Sequence, residues 1–271
     1  MSDLNGGRNS GLQGLIHLDD YARRFEDKVK IKRENGIIEV RMHTKDGPAQ
    51  LAQINIDFTI PDLLACIDRD PENEVLIWTG TGDQYWMQHD NGDVPMPQFA
   101  INGAFITDCM YAHNVRQLNA FLNVNIPTIA AVNGPVSTHP EGILFSDIIV
   151  CSETASFTEL HWAYGMPPGD GVQTMYRELL GINRARAFML GTQVIGAREA
   201  LQLGMVAEVL PKDQVLPRAW EVAEKVFMSK DRAARRLTHN LLMQPWRELV
   251  AKEIYSGRAH QGLAATCITN G

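Results

Sequence analysis

PTIAAVNGPVSTHPEGILFSDIIVCSETASFTELHWAYGMPPGDG, residues 127–171, gathers short apolar runs, sharp breaks and most of the chain's polar candidates into one segment. Pro127–Val132 is an apolar run closed by Asn133-Gly134-Pro135, and Asp147–Cys151 and Ala155–Phe157 are strand-like. Two histidines, His139 and His161, fall near the ends of these elements, and Asp170 lies in a Pro-Gly-Asp-Gly turn. Thr138 with Glu141 matches a capping box, and Pro140 suits the first position of a helix. Backbone N–H groups at such a terminus, with an imidazole beside them, can stabilise developing negative charge. The same pattern also fits a loop histidine next to an ordinary cap. His161 and Asp170 can face one another across the turn, where a carboxylate fixes the imidazole tautomer and raises its basicity. Equally, Asp170 suits the N-cap of a helix starting near Gly171, and His161 a half-buried site between Leu160 and Trp162.

Outward from this segment, strands alternate with helices over the first 160 residues or so, and helices dominate the rest. Towards the N-terminus, Val29–Arg33 and Ile37–His43 flank Glu34-Asn35-Gly36, a strong hairpin signal. A short helix is expected in His17–Asp27, a helix end in Pro61–Asp68, a buried strand in Asn73–Trp78, and helical periodicity over Phe105–Leu122. Asp83–Pro97, polar and broken by Pro and Gly, reads as a loop over a site. From Gly171 onward helices are expected at Val172–Leu180, Arg184–Leu190, Ala197–Leu203, Gln214–Phe227, Asp231–Met243 and Pro245–Ala264.

Composition excludes several classes. At 271 residues and 45% hydrophobic, the chain can bury a substantial core. The net charge of −7, with signs mixed and no basic stripe, argues against nucleic acid as a partner. Four scattered cysteines without a CxxC pair argue against a zinc site or disulfide scaffold and fit a reducing cytoplasm. The opening MSDLNGGRNSG lacks the apolar region of a signal peptide, and no apolar run approaches the roughly 18 residues of a membrane helix. A soluble cytoplasmic protein is therefore expected. Neither a G-x-S-x-G elbow nor an H-E-x-x-H metal pattern is present.

The residues themselves resemble a known family. Ala130-Ala131-Val132-Asn133-Gly134, Asp147-Ile148, Ala155-Ser156-Phe157 and Pro168-Gly169-Asp170-Gly171 are similar to the core signature of the crotonase (enoyl-CoA hydratase/isomerase) superfamily. Gly191-Thr192, Ala197-Arg198-Glu199-Ala200 and Gly204-Met205-Val206-Ala207-Glu208-Val209 extend the likeness to about residues 26–265. The resemblance implies an α/β fold: a crotonase-like ββα spiral core over 17–205, a helical C-terminal trimerisation region over 206–271, and a flexible segment over 1–16. It also implies a homotrimer or dimer of trimers.

Departures from the family are as informative. Thr138-His139-Pro140 stands where CoA-dependent members carry three glycines, and their two usual glutamates fall at Gly142 and His161. Tyr85-Trp86-Met87-Gln88-His89-Asp90 replaces the small residues that help hold CoA. Gly134-Pro135-Val136, His139-Pro140-Glu141 and Pro168-Gly169-Asp170-Gly171 instead resemble the CoA-independent 6-oxocamphor hydrolase and β-diketone hydrolase subgroup. That likeness implies hydrolysis of a carbon–carbon bond in a β-diketone, with no metal or other cofactor. His161, oriented by Asp170, would deprotonate water. His139 and backbone N–H groups near Gln88 and His139 would hold the oxyanion. Trp86, Trp162 and Tyr164 would wall the substrate, a pattern that core aromatics fit equally, and Gln261, standing where an acid is usual in the subgroup, would bond a substrate oxygen or the water. Two alternatives stay open: a CoA-thioester hydratase, isomerase or hydrolase, and a non-catalytic binding protein of the same fold.

Overall fold

The computed structural model describes residues 16–50, 56–85, 105–137 and 139–268. Strands β1 (Val29–Glu34) and β2 (Ile37–Met42) form the expected antiparallel hairpin, with Glu34 opposite Ile37. Asn35 and Gly36, at φ of 50° and 84°, supply the two left-handed residues that a tight turn of this hand requires. β2 then pairs in parallel with β3 (Val75–Thr79), β3 with β4 (Thr128–Val132), and β4 with β5 (Ile148–Ser152). The six-stranded sheet closes on β8 (Glu208–Leu210), a strand that the helical reading of the C-terminal third passes over. β6 (Ser156–Phe157) and β7 (Ile195–Gly196) form a separate small antiparallel pair.

β3 and β4 are buried at every position, as parallel strands covered on both faces must be. Alternate side chains feed two cores. Leu76, Trp78, Ala130 and Val132 join the larger one, which takes in Leu63, Ile67, Leu118 and Leu122 of helices α2 (Ile56–Arg69) and α3 (Asn114–Leu122). Val75, Ile77, Ile129 and Ala131 face Val215, Ala219 and Val222 of helix α8 (Lys212–Val222). Each fully buried aliphatic side chain of this kind contributes about 1.5–3 kcal/mol of transfer free energy.

The helix expected over residues 105–122 is present, beginning as a wide π-helical stretch, Phe105–His113, before tightening into α3. After α1 (Leu18–Ala22), α4 (Glu141–Leu144) follows β4, while α5 (Val172–Leu180), α6 (Ile182–Leu190) and α7 (Ala197–Gln202) precede β8. The two helices expected on either side of Gln244 are one, α9 (Arg232–Ile268), which runs straight through Pro245. The proline removes one backbone donor, and tertiary contacts outweigh that loss. Trp246 packs edge-on against Phe145 at 5.3 Å, and Arg247 donates to the Leu122 carbonyl at 2.8 Å and the Asn240 carbonyl at 3.2 Å. Higher on α9, buried His239 places Nδ1 2.8 Å from the Asp147 carboxylate and Nε2 2.8 Å from the Val124 carbonyl, tying the helix to the sheet. Among the described residues, no helix is long and apolar enough to cross a membrane.

Candidate active site

The site is built where β4 and β6 run out. Val136 forms a parallel bridge with Phe157: its N–H donates to the Ser156 carbonyl at 2.7 Å, and its carbonyl accepts from Thr158 at 3.2 Å. Thr158 Oγ1 also donates to the Ser137 carbonyl at 2.9 Å. This zipper sets the loop that carries His139 beside the one that carries His161, with ring centroids 6.3 Å apart. His139 sits at φ 50°, a left-handed conformation uncommon outside glycine and asparagine, of the kind that concentrates at functional sites. The helix after it begins at Glu141 and is only four residues long. Pro140 therefore occupies the N-cap position, one step earlier than its sequence suggests, and no side-chain cap bond forms. Thr138, the other half of the expected capping box, lies outside the described residues.

Asp170 is brought in by its turn. Gly171, at φ 103°, needs glycine, and a Cβ at Gly169 would lie 2.2 Å from the Gly257 carbonyl oxygen of α9. Gly257 is as tightly placed, since a Cβ there would meet the Gly169 oxygen at 2.4 Å. Gly257→Ala is thus expected to lower stability in urea unfolding by about 1–3 kcal/mol, the cost of forcing atoms into a packed contact. A neutral result would mean that α9 does not press on this turn.

The outcome is a buried cluster of charge. Asp170 is fully buried, with Oδ2 3.3 Å from His161 Nε2 and 3.6 Å from His139 Nδ1. Burial alone would raise its pKa, but His161, then Arg258 and His139, outweigh burial and hold it at about 2. Glu159, 2% exposed, places Oε1 2.5 Å from His161 Nδ1. Glu141, 1% exposed, places Oε1 3.1 Å from His139 Nδ1. For His161, burial pulls the pKa down, yet Asp170 and Glu159 together leave it raised above 6.5. Tyr176 of α5, buried near these carboxylates, is kept protonated by desolvation and by their charge. His139, Glu141 and Asp170 each offer one donor atom within 4.8 Å of the others, close enough to bridge a cation. His139 Nδ1 is already satisfied by Glu141, so we read the group as a hydrogen-bonded charge network.

The model of the enoyl-CoA hydratase/isomerase family matches residues 32–260. The chain belongs to that family. As a crotonase it is similar to a solved β-diketone hydrolase from the cyanobacterium Anabaena sp. PCC 7120, at 32% identity over 92% of this chain and 98% of that one, with a TM-score of 0.84. An enoyl-CoA hydratase/isomerase from Mycobacterium paratuberculosis shares the fold at 17% identity, covering 88% and 93% of the two chains with a TM-score of 0.75. Among curated relatives, 4-chlorobenzoyl coenzyme A dehalogenase-2 from Arthrobacter sp. is 24% identical over 73% of this chain and 71% of its own.

Within this crotonase, His139, His161 and Asp170 come together, while Trp86 and Gln88 lie outside the described residues. Trp162 and Tyr164 occupy a short 3₁₀ turn and are 53% and 50% exposed on the single chain. Gln261 is 1% exposed and occupied at both ends of its amide: Oε1 accepts from Arg258 at 2.5 Å, and Nε2 donates to the Pro167 carbonyl at 3.0 Å. It stitches α9 to the Asp170 turn. Glu159, Tyr176 and Arg258 were not singled out from sequence as site residues, and Glu141 was read only as half of a capping box and part of a motif. Glu159 left one signal there, a carboxylate two residues from His161.

Proposed function

We propose that this crotonase hydrolyses a carbon–carbon bond of a β-diketone, with water as nucleophile and without coenzyme A. The observation that carries the reading is His161, mostly buried and raised in basicity, against a fully buried, ionised Asp170. His161 takes a proton from water, and Asp170 stabilises the resulting imidazolium. The hydroxide adds to one carbonyl, and His139, with its Nδ1 proton held by Glu141, donates from Nε2 in its doubly protonated form to the oxygen that gains charge. Collapse breaks the bond to the carbon between the two carbonyls, and the electron pair is accepted by the second carbonyl as an enolate. The imidazolium returns its proton to that carbon, giving a keto acid.

Three further points support this reading. The cyanobacterial relative is described as a β-diketone hydrolase bound to (S)-3-oxocyclohexyl acetic acid, itself a keto acid. At Gly142, where CoA-dependent relatives carry a glutamate, a Cβ would come within 2.8 Å of the Phe121 ring, so a side chain there would have to displace that ring. A histidine stands at the position of the other. The exposed Leu237, Leu241 and Leu263 of α9 fit the trimeric association expected of the family.

The pH profile tests the base. A raised His161 pKa means that the neutral, proton-accepting form is lost as pH falls, so kcat/KM for a cyclic β-diketone should decline on the acid side with a midpoint above 6.5. A rate flat down to pH 5 would remove His161 from the role. Sub-millimolar binding of CoA or acetyl-CoA by calorimetry would favour a thioester enzyme instead.

A further inference from the structure

We propose that Glu159 is a positioning residue that fixes the tautomer of His161, placing the proton on Nδ1 and leaving Nε2 to accept one from water. This deepens, and rests on, the hydrolase reading above, in which Asp170 had been expected to orient the ring. The geometry divides the two acids differently. Glu159 Oε1 lies 2.5 Å from Nδ1 and also accepts the backbone N–H of His161 at 3.1 Å, so one carboxylate oxygen grips both the ring and the main chain. Its own position is fixed by the zipper at Thr158, whose N–H and Oγ1 bind the carbonyls of Val136 and Ser137. Asp170 Oδ2, by contrast, lies 3.3 Å from Nε2 and makes no hydrogen bond of good geometry to it. An acceptor at Nδ1 dictates a proton there, and a neutral imidazole then presents its lone pair at Nε2. Asp170 is placed to stabilise the charge that arises when that lone pair is protonated, and Glu159 to decide which nitrogen holds it.

Every charged or titratable group around the ring among the described residues is consistent with this division. Glu159 approaches from the ring's own segment, two residues earlier, Asp170 from the Pro-Gly-Asp-Gly turn, and His139, itself held by Glu141, from the neighbouring loop. Arg258 of α9 acts through Asp170, and Tyr176 of α5 lies close to the three carboxylates. Among these, Glu159 alone faces Nδ1 of His161 at hydrogen-bond distance.

The test combines a spectrum with kinetics. Long-range ¹H–¹⁵N correlation of the wild-type protein, recorded above the His161 transition, is expected to show Nδ1 protonated and Nε2 bare. Glu159→Ala should yield a tautomer mixture, a kcat lower by about 10- to 100-fold with KM little changed, and an acid limb displaced to lower pH. Glu159→Gln retains an acceptor for Nδ1 without the charge, so it should keep the tautomer and most of kcat while still moving the limb. A wild-type spectrum with the proton on Nε2, or an alanine variant with unchanged tautomer and pH profile, would overturn the proposal. If Glu159→Ala fails to fold, the wild-type and glutamine spectra decide. Should the wild type hydrolyse no diketone, the hydrolase reading falls, while the spectra still report which acid sets the tautomer.

Discussion

Replacing His161 with alanine is expected to cut the turnover of a cyclic β-diketone by about two to four decades, the contribution of a positioned general base. Without the imidazole, water must attack unassisted, and the enolate loses its proton donor as well. The ring is held by Glu159 on one nitrogen and faces Asp170 with the other, and no other described imidazole offers both contacts. His139 does not replace it, because Glu141 and Asp170 both approach its Nδ1, whereas His161 has one carboxylate at each ring nitrogen. KM should change far less than kcat. Turnover within about threefold of wild type would remove His161 from the chemistry.

Asp170→Asn is expected to be nearly as severe, lowering kcat by about a hundred- to a thousandfold, as loss of a preorganised electrostatic contact does. The substitution keeps the shape of the side chain and deletes only charge. At zero exposure that charge is unscreened by solvent, and it faces His161, His139 and Arg258. The imidazolium formed during turnover would lose its counter-ion. A stability signature with a defined sign accompanies this. Because Asp170 is held at about 2, below its ordinary 3.8, its ionised form stabilises the fold above that ordinary value, and the contribution disappears as pH falls through about 2. The variant should therefore melt below wild type at neutral pH, with the difference narrowing on acidification. A variant that melts normally and turns over normally would make Asp170 an ordinary turn residue.

Much of the fold was legible because the signals were local. Asn35-Gly36 dictated a hairpin through its left-handed backbone, and the almost wholly apolar β3 and β4 dictated burial on both faces. β8 was not legible: three half-buried residues carry no period, and only pairing with β5 makes them a strand. Pro245 misled because a proline usually ends a helix, whereas the bonds from Arg247 and the packing of Trp246 that carry α9 through it are tertiary. At the site, the short Pro-Gly-Asp-Gly motif and the two histidines stood out by residue type. Their partners did not. Glu141 looked like half of a capping box but faces His139, Arg258 reaches the cluster from α9, distant in sequence, and Tyr176 turns back onto it from the helix that follows Asp170. Gln261 resembled a substrate ligand by its position in the motif, yet it is consumed in holding Pro167.

The most direct test follows a cyclic 1,3-diketone with the purified protein in oxygen-18 water, with no coenzyme A added and with Asp170→Asn alongside. The expected result is loss of the enol absorbance and a keto acid whose new carboxylate carries a single heavy oxygen, both sharply reduced in the variant. No consumption of any diketone, or turnover confined to acyl-CoA thioesters, would contradict it.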